Sequence, residues 1–241
     1  QDPADADSVK LLDNDLYGFV QSLRELLTEE GEFSTDADVA ADPNAAVKRG
    51  IPYYQKALDS LAYEFATAMN KLNDTGLPGA GNLFSTGSNT DDADGITAAN
   101  ISVSKSWAEG SVSIQASNDP QAASGDTSNL AKFLALFDED QTFDPTHIEG
   151  DAVGAAYHGT FEDMLLKIQS TLAEDQASTD AVLNNYIVTA DDISVNREGV
   201  SGVDLNDEAT SLMTYQKAYT AACRLMNVLE EALDSLINGT V

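Results

Sequence analysis

The chain has 241 residues, 42% of them hydrophobic, with 41 acidic against 12 basic side chains, a formal net charge of −29 and a single cysteine. That balance, with no Lys/Arg cluster, excludes nucleic acid and an anionic membrane surface as partners, and the lone Cys223 excludes an intramolecular disulfide. No apolar run approaches the ~20 residues of a membrane span, and no basic n-region or cleavage site opens the chain. The acidity reads as a solvated, self-repelling surface.

Taken in order, Gln1 to Asp7 is a polar, Asp-rich opening expected to fray. Leu16, Phe19, Val20, Leu23, Leu26 and Leu27 form a helical stripe that ends near Gly31, and Glu32 to Gly50 reads as a loop with a turn at Asp42-Pro43. Pro52 starts a helix whose stripe is Tyr54, Leu58, Leu61, Phe65, Ala68 and Leu72, ending before Thr75-Gly76. Between Gly76 and Ser128 small and polar residues dominate. The only periodicity there is the alternation Ile101, Val103 and Val112, Ile114, which predicts short strands anchored by Trp107.

Ser128 or Asn129 caps a short helix with Leu130, Phe133, Leu134 and Phe137 inward, followed by a loop at Asp144-Pro145. Thr160 with Asp163 approximates a capping box for a long helix whose stripe is Phe161, Leu165, Ile168, Leu172, Leu183, Tyr186, Ala190 and Ile193. Asp175 and Thr179 occupy seam positions of that helix, so its centre is expected to pack loosely or to meet a neighbouring subunit. Asn196 to Val203 is expected to be a linker.

The last segment is the longest periodic one. Leu205, Ala209, Leu212, Tyr219, Ala222, Met226, Leu229, Leu233 and Leu236 recur at gaps of three and four around a single polar Gln216, a narrow seam suited to coiled-coil packing. Asp204 is the expected N-cap and Asn238-Gly239 the stop. The fold class is therefore mainly α: an elongated helical bundle or coiled-coil rod with a small β-rich insertion and a long C-terminal helix. Residues 1–75 and 128–198 make the helical rod, 76–127 the β-rich segment, 199–203 the linker and 204–241 the terminal helix. The long helices at Pro52 to Leu72 and Phe161 to Ile193 are expected to pack lengthwise.

Chemistry-bearing patterns fail on inspection. Asp92-Ala93-Asp94-Gly95 resembles part of a calcium loop, but Thr90 takes its first ligand position and Ile101 its twelfth. His147 and His158 lack the spacing and partners of a zinc site. Gly79-Ala80-Gly81 is no dinucleotide fingerprint, and neither a Walker lysine nor a G-x-S-x-G elbow is present. Cys223 reads as a small filler within a helix. No enzyme, catalytic residue, metal or cofactor is expected.

The run Asn196-Arg197-Glu198-Gly199-Val200-Ser201-Gly202-Val203-Asp204-Leu205-Asn206-Asp207-Glu208, followed by Tyr215-Gln216-Lys217-Ala218-Tyr219, resembles the C-terminal signature of bacterial flagellar axial proteins. Within that group it is most similar to the hook-associated protein 1 family of the hook-filament junction. The resemblance continues through Gly50-Ile51-Pro52-Tyr53-Tyr54, Thr97-Ala98-Ala99-Asn100-Ile101-Ser102-Val103-Ser104 and Thr160-Phe161-Glu162-Asp163, in family order. The departure is at the start: the family opens with its own long helix, and this sequence does not, so Gln1 is expected to lie inside a longer gene product.

What the resemblance implies is a structural protomer of the flagellum. Its partners would be the hook protein, the second hook-filament junction protein, further copies of itself and an export chaperone. It would lie outside the cell, exported without a cleaved signal peptide. The alternative is a secreted binding or adhesion module on a helical stalk. Carried over, the assembly and chaperone-binding residues are Leu205, Leu212, Tyr215, Tyr219, Met226, Leu229, Leu233 and Leu236. In the family this seam packs on the N-terminal helix, so here it is expected to be orphaned. It would fray, fold back at Gly199-Gly202 onto the preceding helix, or pair with a second copy, the last being the preferred expectation.

Overall fold

A computed structural model of the chain describes residues 18–202 and 204–238. The polar opening, Leu16, Val203 and Gly239 lie outside the described residues. The protein is mainly α, 61% helical, with small strand pairs. In chain order the elements are α1 (Gly18–Thr28), α2 (Asp36–Ala41), α3 (Ile51–Asn73), β1 (Phe84–Ser85), β2 (Ser102–Val103), α4 (Lys105–Ala108), α5 (Ser128–Ala135), β3 (Gln141–Phe143), β4 (Tyr157–Gly159), α6 (Phe161–Ser201) and α7 (Leu205–Asn238). β1 pairs antiparallel with β2, and β3 with β4 in the register Phe143 to Tyr157 and Gln141 to Gly159. The chain forms two compact units, residues 1–175 and 176–241.

The first unit is built on α3. Pro52 stands in its first turn, where the missing N–H costs nothing. Gly50 precedes it because a Cβ there would collide with the carbonyls of Glu25 and Leu26 at the end of α1. Tyr53 and Ala57 of α3 join Phe33, Leu136, Phe143, Phe161, Met164 and Ile168 in one core cluster. Phe161, the first residue of α6, is its hub, with ring centroids 5.7 Å from Phe65, 5.8 Å from Phe143 and 6.4 Å from Phe137. The capping box holds α6 at this point: Asp163 N–H donates to the Thr160 hydroxyl at 3.1 Å and Thr160 N–H to the Asp163 carboxylate at 3.0 Å.

Several expectations are corrected. The stretch from Glu32 to Gly50 contains α2, because Thr35 and Asp38 form a second capping box. In α5 Phe133 is buried as expected and Leu136, just past its end, is buried too, while Leu134 is 73% exposed and Phe137 half exposed. The stripe on α1 is uncovered, no α1 residue being buried. α6 runs to Ser201, so most of the stretch expected to be a linker is helical; its end is Gly202, whose N–H donates to the Glu198 carbonyl. The lengthwise packing of α6 on α3 is confined to its first turns, since every described side chain after Asp175 is exposed.

The segment between α3 and α5 contains the two-residue strands β1 and β2 and the short α4; Val112 and Ile114 lie outside any strand. Buried asparagines organise it instead. The Asn70 carboxamide oxygen accepts from the N–H groups of Leu83 and Phe84, and its nitrogen donates to the Phe84 carbonyl. Asn73 donates to the carbonyls of Gly81 and Ser113 and accepts from Gln115 N–H. Asn129 on α5 donates to the carbonyls of Leu72 and Gln115. Asn70 and Asn73 each supply donor and acceptor and Asn129 donates twice, so the carboxamides replace a strand partner for chain that has none. Trp107 does anchor this segment, edge-on to Phe84 at 5.9 Å, and Phe84 stacks against Phe65 of α3 at 5.3 Å.

Replacing Asn73 with alanine strands buried backbone groups and is expected to cost about 2–4 kcal/mol in urea unfolding. Asn82→Ala, which removes an exposed bond to the Asp91 carbonyl, should cost no more than about 0.5 kcal/mol. Equal costs for the two would contradict this account.

Candidate functional site

The residues that the sequence singles out all lie on α7. Asp204 caps it, accepting from Asn206 N–H at 2.8 Å, and Asp207 and Glu208 follow in the first turn, where carboxylates favour the positive helix end. At 1.5 Å per residue its 34 residues make a rod about 50 Å long. Leu205, Leu212, Tyr215, Tyr219, Met226, Leu229 and Leu233 are between 49% and 81% exposed. Leu236 is on the same helix, but its side chain lies outside the described residues. The 176–201 portion of α6 is equally bare, with Val182, Leu183, Tyr186 and Ile193 exposed. Folding back onto α6 is therefore not the state of α7 in this structure.

The apolar surface is also broader than the narrow seam that the spacing predicts. Placed at 100° per residue, Leu205, Leu212, Tyr219, Met226 and Leu233 define one line, and Tyr215, Ala222 and Leu229 a second beside it. Ala218, Leu225, Ala232 and Ala221, Val228 add two more lines on the same side. From Tyr215 to Leu233 the apolar arc spans roughly 200° of the circumference, interrupted by Glu230, and the wedge opposite carries Lys217, Arg224, Asn227 and Glu231; in the first turns Asp207, Glu208, Ser211 and Thr214 fall on the arc side and Met213 in the wedge. Leu225 and Val228 are 61% and 60% exposed. The seven-residue spacing of Ala218, Leu225 and Ala232 carries this signal in the sequence, beside the stripe of larger side chains. A helix apolar over more than half its surface suits contact with at least two neighbouring helices, where one coiled-coil partner would leave a flank wet.

Where α6 leaves the first unit, the grip is ionic. The Arg49 guanidinium donates two bonds to the Asp175 carboxylate, which also accepts the Tyr54 hydroxyl. Arg49 holds Asp175 below the usual carboxylate range, while burial and the neighbouring carboxylate push the Tyr54 phenol up to about 12. One turn pair earlier, Lys167 reaches Glu32 at 3.0 Å and stands over the Tyr157 ring. The seam carboxylate at Asp175 is thus not a loose spot but the terminal clamp of the α3–α6 contact. Thr179, the other polar seam residue, is exposed.

The remaining candidates stand apart. Asp92 accepts from Asp94 N–H in a local turn, His147 lies 3.5 Å from Glu64, and His158 faces Thr142 across the β3–β4 pair at 3.1 Å. Among the described residues no group of three or more His, Cys, Asp or Glu side chains is placed to hold a metal ion, and no helix is long and apolar enough to cross a membrane. Cys223 is exposed on α7.

Residues 199–239, which include the whole of α7, match the family described as Flagellar basal body rod FlgEFG protein C-terminal. Over 187 residues the chain is 27% identical to flagellar hook-associated protein 1 of Bacillus subtilis (strain 168), covering 76% of this chain and 34% of the relative. This is a protein similar to flagellar hook-associated protein 1. The chain spans about a third of that relative's length. No solved structure matches it. Both matches are to structural parts of the flagellum, which supports a flagellar structural role and a place in that organelle.

The carboxylates of this chain set a pH response. Hydrogen bonds from Ser106, Ser117, Thr146 and Thr160 hold Asp91, Asp126, Asp144 and Asp163 below the ordinary range, as Arg49 does Asp175. A carboxylate depressed in the folded state contributes stability above its unfolded pKa of about 3.9 and loses it as the pH falls through the folded value. Glu29 and Glu64 act with the opposite sign: burial raises them, so they weaken folding as the pH rises through and above the ordinary Glu range. Protonation also relieves the repulsion of the −29 charge. The melting temperature should peak between about pH 4 and 5, falling toward pH 7 and below about pH 3. A steady decline on acidification from pH 7 would contradict this.

Proposed function

We propose that the chain is a structural protomer of the flagellar hook-filament junction, exported through the organelle without a cleaved signal and assembled by packing of α7. Its neighbours would be the hook protein, the second hook-filament junction protein and further copies of itself, with an export chaperone covering α7 beforehand. Its work is done by surfaces, with no catalytic residue and no cofactor. The observation that carries the reading is the bare apolar arc of α7, in the segment that matches a flagellar axial family.

The residues proposed for assembly and chaperone contact are Leu205, Leu212, Tyr215, Tyr219, Met226, Leu229, Leu233 and Leu236. A charge at two adjacent seam positions removes apolar contact and buries an unpaired carboxylate in any partner. Leu229→Asp with Leu233→Asp, in the full-length protein, should abolish chaperone binding or incorporation and leave cells non-motile. The melting of the first unit should stay unchanged, because both side chains lie outside it. Wild-type motility in the double variant would refute the assignment.

A further inference from the structure

Most cations of the first unit are neutralised inside the chain, Lys56 by Glu30 and Glu149 and Lys167 by Glu32 among them. α7 differs. From Ala209 to Leu229 it has no carboxylate, and its two cations there, Lys217 and Arg224, are exposed and are not placed in an ion pair among the described residues. At 100° per residue they fall within about 20° of one line, along the edge of the apolar arc that carries Ala221 and Val228. The exposed 176–201 portion of α6 has the opposite balance, with Asp180, Asp191, Asp192 and Glu198 against Arg197. Asp180, Asp191 and Glu198 fall within about 20° of one line of their own, beside the exposed Leu183 and Ile187.

We propose that α7 of one copy packs lengthwise, and parallel, on the 176–201 portion of α6 of a second copy, with Lys217 and Arg224 against its line of Asp180, Asp191 and Glu198. The proposal rests on the self-association argued above and names the surface that one flank of the α7 arc meets. Two copies each carrying −29 repel wherever acidic surfaces face one another. The middle of α7 escapes this, because it presents an apolar face with a positive edge, and the end of α6 presents an apolar face with a negative one. Laying one Ala209 to Leu229 stretch on another would bring no carboxylate to either cation.

The hand of the two edges makes the partner a second copy. Seen along each helix from its N-terminus, the basic edge of α7 lies anticlockwise of its apolar arc. The acidic edge of α6 lies clockwise of the face formed by Val182, Leu183, Tyr186, Ile187 and Ile193. Helices packed face to face bring edges of opposite hand together when they run parallel, and edges of the same hand when they run antiparallel. α6 ends at Ser201 and α7 begins at Leu205, so folding back within one chain over so short a connection gives an antiparallel hairpin. Such a hairpin would leave the acidic and basic edges on opposite sides. A parallel pair needs two chains.

The test uses the whole chain. Copies of natural and heavy nitrogen isotope are mixed and treated with a carbodiimide, which joins amines to carboxylates in direct contact, and mass spectrometry reads which linked peptides carry both isotopes. Mixed links from Lys217 to Asp180, Asp191 or Glu198 are expected. Asp180→Lys with Asp191→Lys should weaken self-association about tenfold although it lowers the net charge, and adding Lys217→Glu with Arg224→Glu should restore it. The proposal is overturned if the links from Lys217 join only peptides of one isotope, or if none reaches those carboxylates at any concentration. Unchanged or tighter association in the Asp180→Lys, Asp191→Lys chain, or no recovery in the fourfold variant, would leave only general repulsion and overturn it equally. The reading of α7 fails separately, if Leu229→Asp with Leu233→Asp leaves motility and association intact.

Discussion

An apolar arc over more than half the circumference of α7 from Tyr215 to Leu233 cannot rest in water at equilibrium. Leaving six large side chains exposed at about 1.5–3 kcal/mol each forfeits on the order of 10 kcal/mol relative to burial. Helix propensity supplies little to offset that, because isolated helices are marginal even in favourable sequences. On the function proposed above α7 takes its order from neighbours; its described side chains are exposed. Under that proposed function, such a segment would act as a joint, exchanging one covering partner for another.

The first unit must then be stable without help from α7, and its construction shows how. The Phe161 ring joins α3, the β3–β4 pair and the start of α6 into a single aromatic cluster. Asn70, Asn73 and Asn129 fasten the long irregular segment without strands. Carboxylates cap turns and helices at Asp38, Asp92, Asp126, Asp144 and Asp163, so part of the acidity is structural and not only a solvated surface. The bidentate Arg49–Asp175 pair closes the α3–α6 contact at its far end. Beyond that point α6, like α7, offers its side chains outward.

The sequence made the long helices legible because periodicity over many turns leaves little choice, and it made the caps at Asp204 and Thr160 legible because each needs only a few adjacent residues. Depth of burial was harder. α3 shows a clean stripe of Tyr54, Leu61, Phe65 and Leu72, yet its most buried positions include Ser60, Asn70 and Asn73, and the partners of the two asparagines lie in the irregular segment that follows. β3 and β4 are three residues each, too short for alternation to register, and they exist because Phe143 and Tyr157 meet over the core. Asp175 looked like a fault in a seam, since nothing local announces that Arg49 stands opposite it. The second line of apolar residues on α7 was present at heptad spacing, but only helical geometry shows that Leu225 and Val228 extend the same face.

The central claim is that α7 takes its order from other molecules. Hydrogen exchange resolved along α7 and repeated over a range of protein concentrations tests it most directly, since amide protection reports local opening. Fast exchange from Leu212 to Leu233 in dilute protein, slowing as concentration rises, is the predicted result. Slow exchange over that stretch, unchanged on dilution, would mean that the chain buries its own seam and would contradict the account.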